Sequence, residues 1–384
     1  MRFPNFEKSW EKTYLSKYLT VSSLRNKDNT YTRNDVLSVS GELGIVNQIK
    51  LLGRSYAGES LLPYHIVEKD DVVYTKSPLA EYPYGIIKTN RIVPGIVSTL
   101  YAVYKSTTSS NNRFVEHYFS LKSRTNNYLK PIVRIGAKHD MKIGNEEVLK
   151  NYVVFPAVEE QTKIADFLDL IDERITTQSK IIGNLESLIK GIRQRIFSTL
   201  NFDVRNSKEY ELGSFLSEYS KKNIENNLIL VSVGKYGIRR RDEIYSKELS
   251  DDYSKNKVIE KDSLIIGMGS TQIDIGILSK DEKYCVSPAY TTYKISGINS
   301  DYLREYLIHL NSLLSKRYMV IGARQGKSVN KSELMQHVLL VHSIEKQLQV
   351  ADIFNAFYDK LQKEKDILSL YKKQKAYLLS NMFI

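Results

Sequence analysis

A single cysteine, Cys285, excludes any disulfide within the chain. So sparse a use of cysteine is expected of a protein kept in a reducing cytoplasm. Long apolar runs are missing too. Residues 338–341 form one of the longest, far short of the roughly 20 residues that span a bilayer, so no membrane association is expected. The opening stretch "MRFPNFEKSW" lacks the apolar core of a secretory signal, which again points to the cytoplasm. The six histidines are scattered and no His/Cys cluster has zinc-ligand spacing, so no metal is expected.

Catalytic motifs are equally scarce. There is no P-loop and no Asn-Pro-Pro-aromatic motif, and the carboxylates form no nuclease-like set. The nearest lure is "IIGMGSTQID" at Ile265, a Gly-x-Gly after an expected strand. Gln272 stands where a third glycine would be, and no helical period follows. It is read as a loop, so no cofactor is expected and the chain is read as non-catalytic.

What is present is charge and repetition. The chain has 384 residues, enough for more than one domain. Its 42% hydrophobic and 26% charged residues are values of a folded protein. Formal net charge is +12 and the isoelectric point about 9.3, which suits a polyanionic partner such as nucleic acid. Residues 1–152 carry 22 Lys/Arg against 14 Asp/Glu.

The repeat is the strongest signal. "VEEQTKIADFLDLIDERI" at Val158 matches "IEKQLQVADIFNAFYDKL" at Ile344 without gaps, at an offset of 186. The register persists to Phe197 and Phe383. Upstream, "IVEKDDVVY" at Ile66 matches "VIEKDSLII" at Val258, and "VSTLYAVYK" at Val97 matches "VSPAYTTYK" at Val286. The chain reads as one unit built twice, each a globular part followed by a long helix. Alternating Val, Ile, Tyr and Thr make the globular parts mixed and mostly β.

In both helices, apolar positions recur at alternating steps of four and three, as a coiled-coil seam requires. The first seam runs from Ile164 through Leu168 and Ile171 to Ile196, the second from Val350 through Phe354 and Phe357 to Met382. Both are polar at one middle position, Gln178 and Glu364. Each helix of roughly 40 residues would be ~60 Å long and cannot leave such a stripe in water. The expected fold is therefore α+β. Two mixed, mostly β domains are separated by two long helices packed as an antiparallel coiled coil, with internal pseudo-two-fold symmetry. Expected boundaries are 1–152 and 201–337 for the globular domains, and 153–200 and 338–384 for the helices.

These residues resemble the specificity (S) subunit of type I restriction–modification systems. The family's pattern Pro-x-x-Glu-Glu-Gln-x-x-Ile-Ala stands here in "FPAVEEQTKIADFL", and "RFPNFEKSWEKTYLSKYL" is similar to its entry into the first recognition domain. The second copy lacks the proline and carries Lys346 in place of Glu160. The resemblance covers the full length. It implies two target-recognition domains, each reading half of a split double-stranded DNA target. It also implies helices that set the spacer and dock two methyltransferase (M) subunits, with endonuclease–translocase (R) subunits joining the assembled complex.

Base readout needs Arg, Lys, Asn or Gln at base edges. The candidates in the second unit are Arg239, Arg240 and Arg241 in "KYGIRRRDE", and Arg324, Gln325 and Lys327 in "GARQGKSVN". The aligned loop of the first unit, "GAKHDMKIG", offers Lys138, His139 and Lys142. Lys76 and Gln272 follow the repeated Glu-Lys-Asp strand. For partner docking the outer helix face offers Glu159, Glu160 and Arg174, with Glu345, Lys346 and Lys360 in the second copy. Two other classes compete: a two-headed structural adaptor for protein partners, and a free-standing DNA-modifying enzyme.

Overall fold

The computed structural model describes every residue except 1, 79–81, 136–140, 199–206, 235–236, 246–251, 322–326 and 384. The chain divides into two compact units, residues 1–179 with 367–384, and residues 180–366. The division falls inside both long helices rather than at their ends.

In the first unit the strands are β1 (Glu11–Tyr14), β2 (Leu19–Val21), β3 (Leu37–Ser40), β4 (Gly44–Asn47), β5 (His65–Val67), β6 (Val72–Thr75), β7 (Ile87–Thr89), β8 (Gly95–Val97), β9 (Tyr101–Ser106), β10 (Arg134–Ile135), β11 (Met141–Lys142) and β12 (Tyr152–Phe155). Its helices are α1 (Gln48–Leu52), α2 (Asn112–Tyr118), α3 (Lys122–Leu129) and the first part of α4 (Val158–Phe197). The main sheet has the order β2-β9-β6-β7, with all pairs antiparallel. Pairs β3-β4, β5-β8, β10-β11 and β1-β12 surround it. Strand β6 is buried at every position, which is why "VVYT" is a continuous run of β-formers rather than an alternating one.

The second unit has β13 (Ser207–Glu211), β14 (Leu216–Tyr219), β15 (Val231–Gly234), β16 (Gly237–Arg240), β17 (Lys257–Ile259), β18 (Ser263–Met268), β19 (Ile273–Leu278), β20 (Tyr284–Val286), β21 (Thr291–Ile295), β22 (Met319–Ile321), β23 (Lys327–Val329) and β24 (Val338–His342). Its helices are α5 (Ser300–Tyr318), α6 (Lys331–Met335) and most of α7 (Ile344–Asn381). The main sheet is β14-β21-β18-β19, with pairs β15-β16, β17-β20, β22-β23 and β13-β24. This is the strand order of the first unit, repeated strand for strand.

The repeat reaches single residues. In "EKDD" and "EKDS" the last side chain accepts a backbone N–H three residues back. Glu68 N donates to Asp71 Oδ2 at 2.9 Å, and Glu260 N donates to Ser263 Oγ at 3.0 Å. Asp70 and Asp262 between them sit at φ of 68° and 60°, a region that Asp and Asn enter more readily than other side chains. Asn29 and Asn226, both at φ 51°, form a second such pair. The repeated Glu-Lys-Asp motif is thus a turn that launches the buried strands β6 and β18.

The long helices carry their stripes as the spacing predicts. No position of either seam is exposed, and Gln178 and Glu364 are both only 7% exposed. Within the first unit Ile164, Leu168 and Ile171 share a core with Leu378, Met382 and Phe383. The Phe383 ring stands 5.4 Å from Phe114 and 5.7 Å from Tyr118 on α2. Within the second unit Phe197 takes the same place on α5, 5.5 Å from Tyr302 and 4.8 Å from Tyr306. Each globular part therefore holds the start of the helix that follows it and the end of the other one.

Candidate nucleic-acid interface

In the second unit strand β23 meets the β18–β19 turn, and strands β15 and β16 pack on β19. The β18–β19 turn closes with Gly269 N donating to Gln272 O at 3.1 Å. A Cβ on Gly269 would lie 2.4 Å from Gln272 O and 2.6 Å from Asp274 Oδ1, so only glycine fits. The Gly-x-Gly stretch is therefore a tight β-hairpin, with antiparallel strands on both sides, and not a strand-to-helix phosphate cradle. Lys327 on β23 donates to Ser270 O of this turn at 2.6 Å. Strands β15 and β16 pack on β19 through Val233 and Ile238 against Gly276.

The structure thus brings Gln272 and Lys327 onto one turn, and both are exposed. The three arginines of β16 and its end differ sharply. Arg239 is exposed. Arg240 pairs with Asp242 at 2.6 Å and reaches Glu243 at 3.9 Å, so its charge is already met. Arg241 is half-buried and lies over the Tyr245 ring at 4.7 Å, in stacking range. Its Nε is buried without a hydrogen-bond partner among the described residues. Arg324 and Gln325 lie outside the described residues, as do Lys138 and His139.

In the first unit the described candidates are Lys76 and Lys142. Lys76 follows β6, is half-buried, and donates to Asn145 Oδ1 at 2.6 Å. Burial pushes its ammonium pKa down. Lys142 on β11 is exposed.

Sequence reasoning missed Asp274. It pairs with Gly267 across the β18–β19 ladder, its Oδ1 being 3.9 Å from the Cβ position of Gly234 and 2.6 Å from that of Gly269. Burial raises its pKa. One signal was readable, since an acid inside the apolar run "IDIGIL" breaks the pattern of a buried strand.

The helix starts explain the repeated motif. Gln161 is fully buried. Its Oε1 accepts from Asn111 N at 2.9 Å, and its Nε2 donates to Ser109 O at 3.0 Å and Pro156 O at 2.9 Å. Asn111 is itself the N-cap of α2. In the second unit Gln347 Oε1 accepts from Asn299 N and its Nε2 donates to His342 O, both at 2.9 Å. Asn299 caps α5. The motif's glutamine therefore bolts each long helix to the cap of a helix in the globular part.

Glu160 is corrected by the same geometry. It is 2% exposed and takes two hydrogen bonds of 2.8 Å from Arg2, with Trp10 Nε1 at 3.3 Å. It anchors the N-terminal segment and is not on an outer face. Glu159, Arg174, Glu345, Lys346 and Lys360 are exposed, Lys360 pairing with Glu364 at 2.6 Å.

Beyond each bolt lies a polar seat. In the first unit Asp169 on α4 receives Arg91 at 2.8 Å, Arg113 at 2.9 Å and His117 Nε2 at 2.8 Å. Arg113 also meets Asp166, and Lys375 pairs with Asp172. Burial opposes the Asp169 charge, but hydrogen bonds from His117 and Arg91 and the positive charges outweigh it and hold the carboxyl well below its usual range. His117, Asp169 and Asp172 bring potential metal ligands within 4.8 Å of one another. The cations on both carboxylates make this an ion-pair knot rather than a metal centre.

A carboxyl with a lowered folded pKa stabilises above its unfolded pKa, near ~4. That contribution is lost as pH falls toward the folded value. The gap in Trp10-detected unfolding midpoint between wild type and Asp169→Asn should therefore narrow from pH 6 to pH 2. A gap that stays constant would show that the carboxylate charge is not its source.

Solved structures share this fold. The chain is similar to a chain from a structure of complex assembly and conformational transition in a type I R-M system, at 13% identity and TM-score 0.57, over 98% of each chain. It is also similar to the type I restriction-modification S subunit of M. genitalium, at 12% identity and TM-score 0.58, over 100% of this chain and 97% of that one. No protein-family model matches the sequence, and no curated protein matches it. The fold is that of a type I S subunit, so the resemblance read from the sequence holds at the level of fold. Among the described residues no helix is long and apolar enough to cross a membrane.

Proposed function

We propose that this chain is the DNA-specificity subunit of a type I restriction–modification complex, itself without catalytic activity. The observation that carries the reading is one globular topology built twice within a full-length S-subunit fold. Each copy, residues 1–152 and 201–337, reads one half of a bipartite double-stranded target. The same loops recur in both with different side chains, as two readers of different half-sites require. Arg239, Gln272 and Lys327 are the described contacts favoured in the second domain, together with Arg324 and Gln325. Asp274 adds an acceptor suited to a cytosine amino group. Lys76 and Lys142, with Lys138 and His139, serve the first.

The helices at 153–200 and 338–384 act as an antiparallel coiled-coil spacer, which gives the chain its pseudo-two-fold symmetry. Contacts within the second unit support that direction: Glu186 meets Lys365, and further along α4 Arg193 meets Tyr358. Glu159, Arg174, Glu345, Lys346 and Lys360 form the face that docks two M subunits, and R subunits join through the assembled complex in the cytoplasm.

In that complex, Arg239→Ala should weaken specific DNA binding by about 1–3 kcal/mol and relax preference at one position. Arg240→Ala should cost less, because Asp242 and Glu243 already hold that guanidinium. Titrations of cognate and scrambled duplexes at fixed salt decide. Equal losses from both variants, or none from either, would remove the hairpin from the reading surface.

A further inference from the structure

The two helix seats share a shape and differ in charge. Both are framed by the same bolt, Gln161 on the α2 cap and Gln347 on the α5 cap. Inside that frame the first globular part presents cations. Arg91 and Arg113 join His117 around Asp169, while Glu116 is taken up by Arg91 at 2.7 Å. The helix side supplies Asp166, Asp169 and Asp172.

In the second unit the signs turn over. Position 355, the repeat partner of 169, is asparagine. Its Nδ2 donates to Asp301 Oδ2 at 3.0 Å, and its Oδ1 accepts from Arg304 at 3.2 Å. The globular side now carries Asp301 and the fully buried Glu305, with Arg304 between them. The helix side answers Glu305 with a cation, Arg193 at 2.8 Å, and with the Tyr358 hydroxyl at 3.0 Å.

We propose that this opposite polarity decides which globular part docks on which helix segment, so that the two halves cannot trade places despite their common topology. Seated on the second site, the first globular part would bring Arg91 and Arg113 against Arg193 and a neutral Asn355. Seated on the first, the second would bring Asp301 and Glu305 against Asp166 and Asp169, while Asp172 keeps its helix partner Lys375. Shape alone permits either arrangement. Charges left without partners disfavour the wrong one. The device guards a duplicated chain against mispairing of its own repeats, and it is independent of what the loops read.

The test uses the full chain and the buried thiol of Cys285 as a probe of opening in the second globular part. In one variant the two globular parts are exchanged and the helices left as they are. Its thiol should be labelled at least about tenfold faster than in wild type. Adding Asp169→Asn and Asn355→Asp to the exchanged chain should slow the labelling partway back toward wild type. An exchanged chain that labels at the wild-type rate overturns the proposal, and so does a double substitution that restores nothing in a folded chain. Should the exchanged chains not fold, Asn355→Asp in the native order decides. That near-isosteric change sets a third carboxylate beside Asp301 and Glu305 and should speed labelling. An unchanged rate there overturns the proposal.

Discussion

Gln161→Ala should cost the first unit about 3 kcal/mol and lower the midpoint of its unfolding. The side chain is fully buried and makes three hydrogen bonds to backbone groups 5 to 52 residues away. Truncation leaves the Asn111 N–H and the Ser109 and Pro156 carbonyls without their partners, the last of them in a buried place. Leaving a buried group unmet costs about 1–3 kcal/mol, more than the net worth of the bond itself. The only tryptophan, Trp10, lies in this unit against Glu160 and Phe114, so its fluorescence reads the transition directly. Cys285, in the other unit, supplies a control that should not move. Gln161→Glu keeps the shape but replaces the donor with an acceptor facing two carbonyls, and should be no better than alanine. A shift of a few tenths of a kcal/mol in Gln161→Ala would mean that the glutamine is not a bolt.

Phe383→Ala should have a comparable effect on the same unit, although the residue stands at the far end of the chain. Its ring is 5% exposed and meets Phe114, Tyr118 and Trp10, with the Arg124 guanidinium 4.9 Å from its centre. Emptying such a site removes the burial of an aromatic side chain and leaves a cavity, about 3–5 kcal/mol together. The Trp10 midpoint should fall accordingly, while Cys285 labelling stays slow. Phe197→Ala, at the matching position of the second unit, should reverse the pattern. If Phe383→Ala left the Trp10 transition in place, the end of α7 would not belong to the first unit.

The sequence showed these positions without showing their work. The offset of 186 placed Phe197 opposite Phe383 and Gln161 opposite Gln347, because a helix repeats its chemistry locally and tolerates no insertion in a seam. What each residue touches is non-local. Gln161 meets a helix cap 50 residues earlier, and no period in the sequence encodes that. Glu160 looked like a surface acid of a first helical turn. Arg2, 158 residues away, makes it a buried partner instead. Arg240 looked like one of three free arginines until Asp242, two residues on, was seen to hold it. Asp274 shows the converse, since a polar residue in an apolar strand was visible but its closeness to Gly234 and Gly269 was not. The charged seats were beyond reach for a further reason. Their two versions align in sequence but differ in sign, and alignment rewards sameness.

The proposal that this chain directs DNA recognition is tested most directly by mapping methylated adenines in a genome that carries the chain with its methyltransferase partner. The expected result is a motif in two parts separated by a fixed gap, methylated when the chain is present and unmethylated when its gene is deleted. Replacing residues 207–337 alone should change one part and leave the other. Methylation that is unchanged by the deletion, or a motif that is not divided, would contradict it.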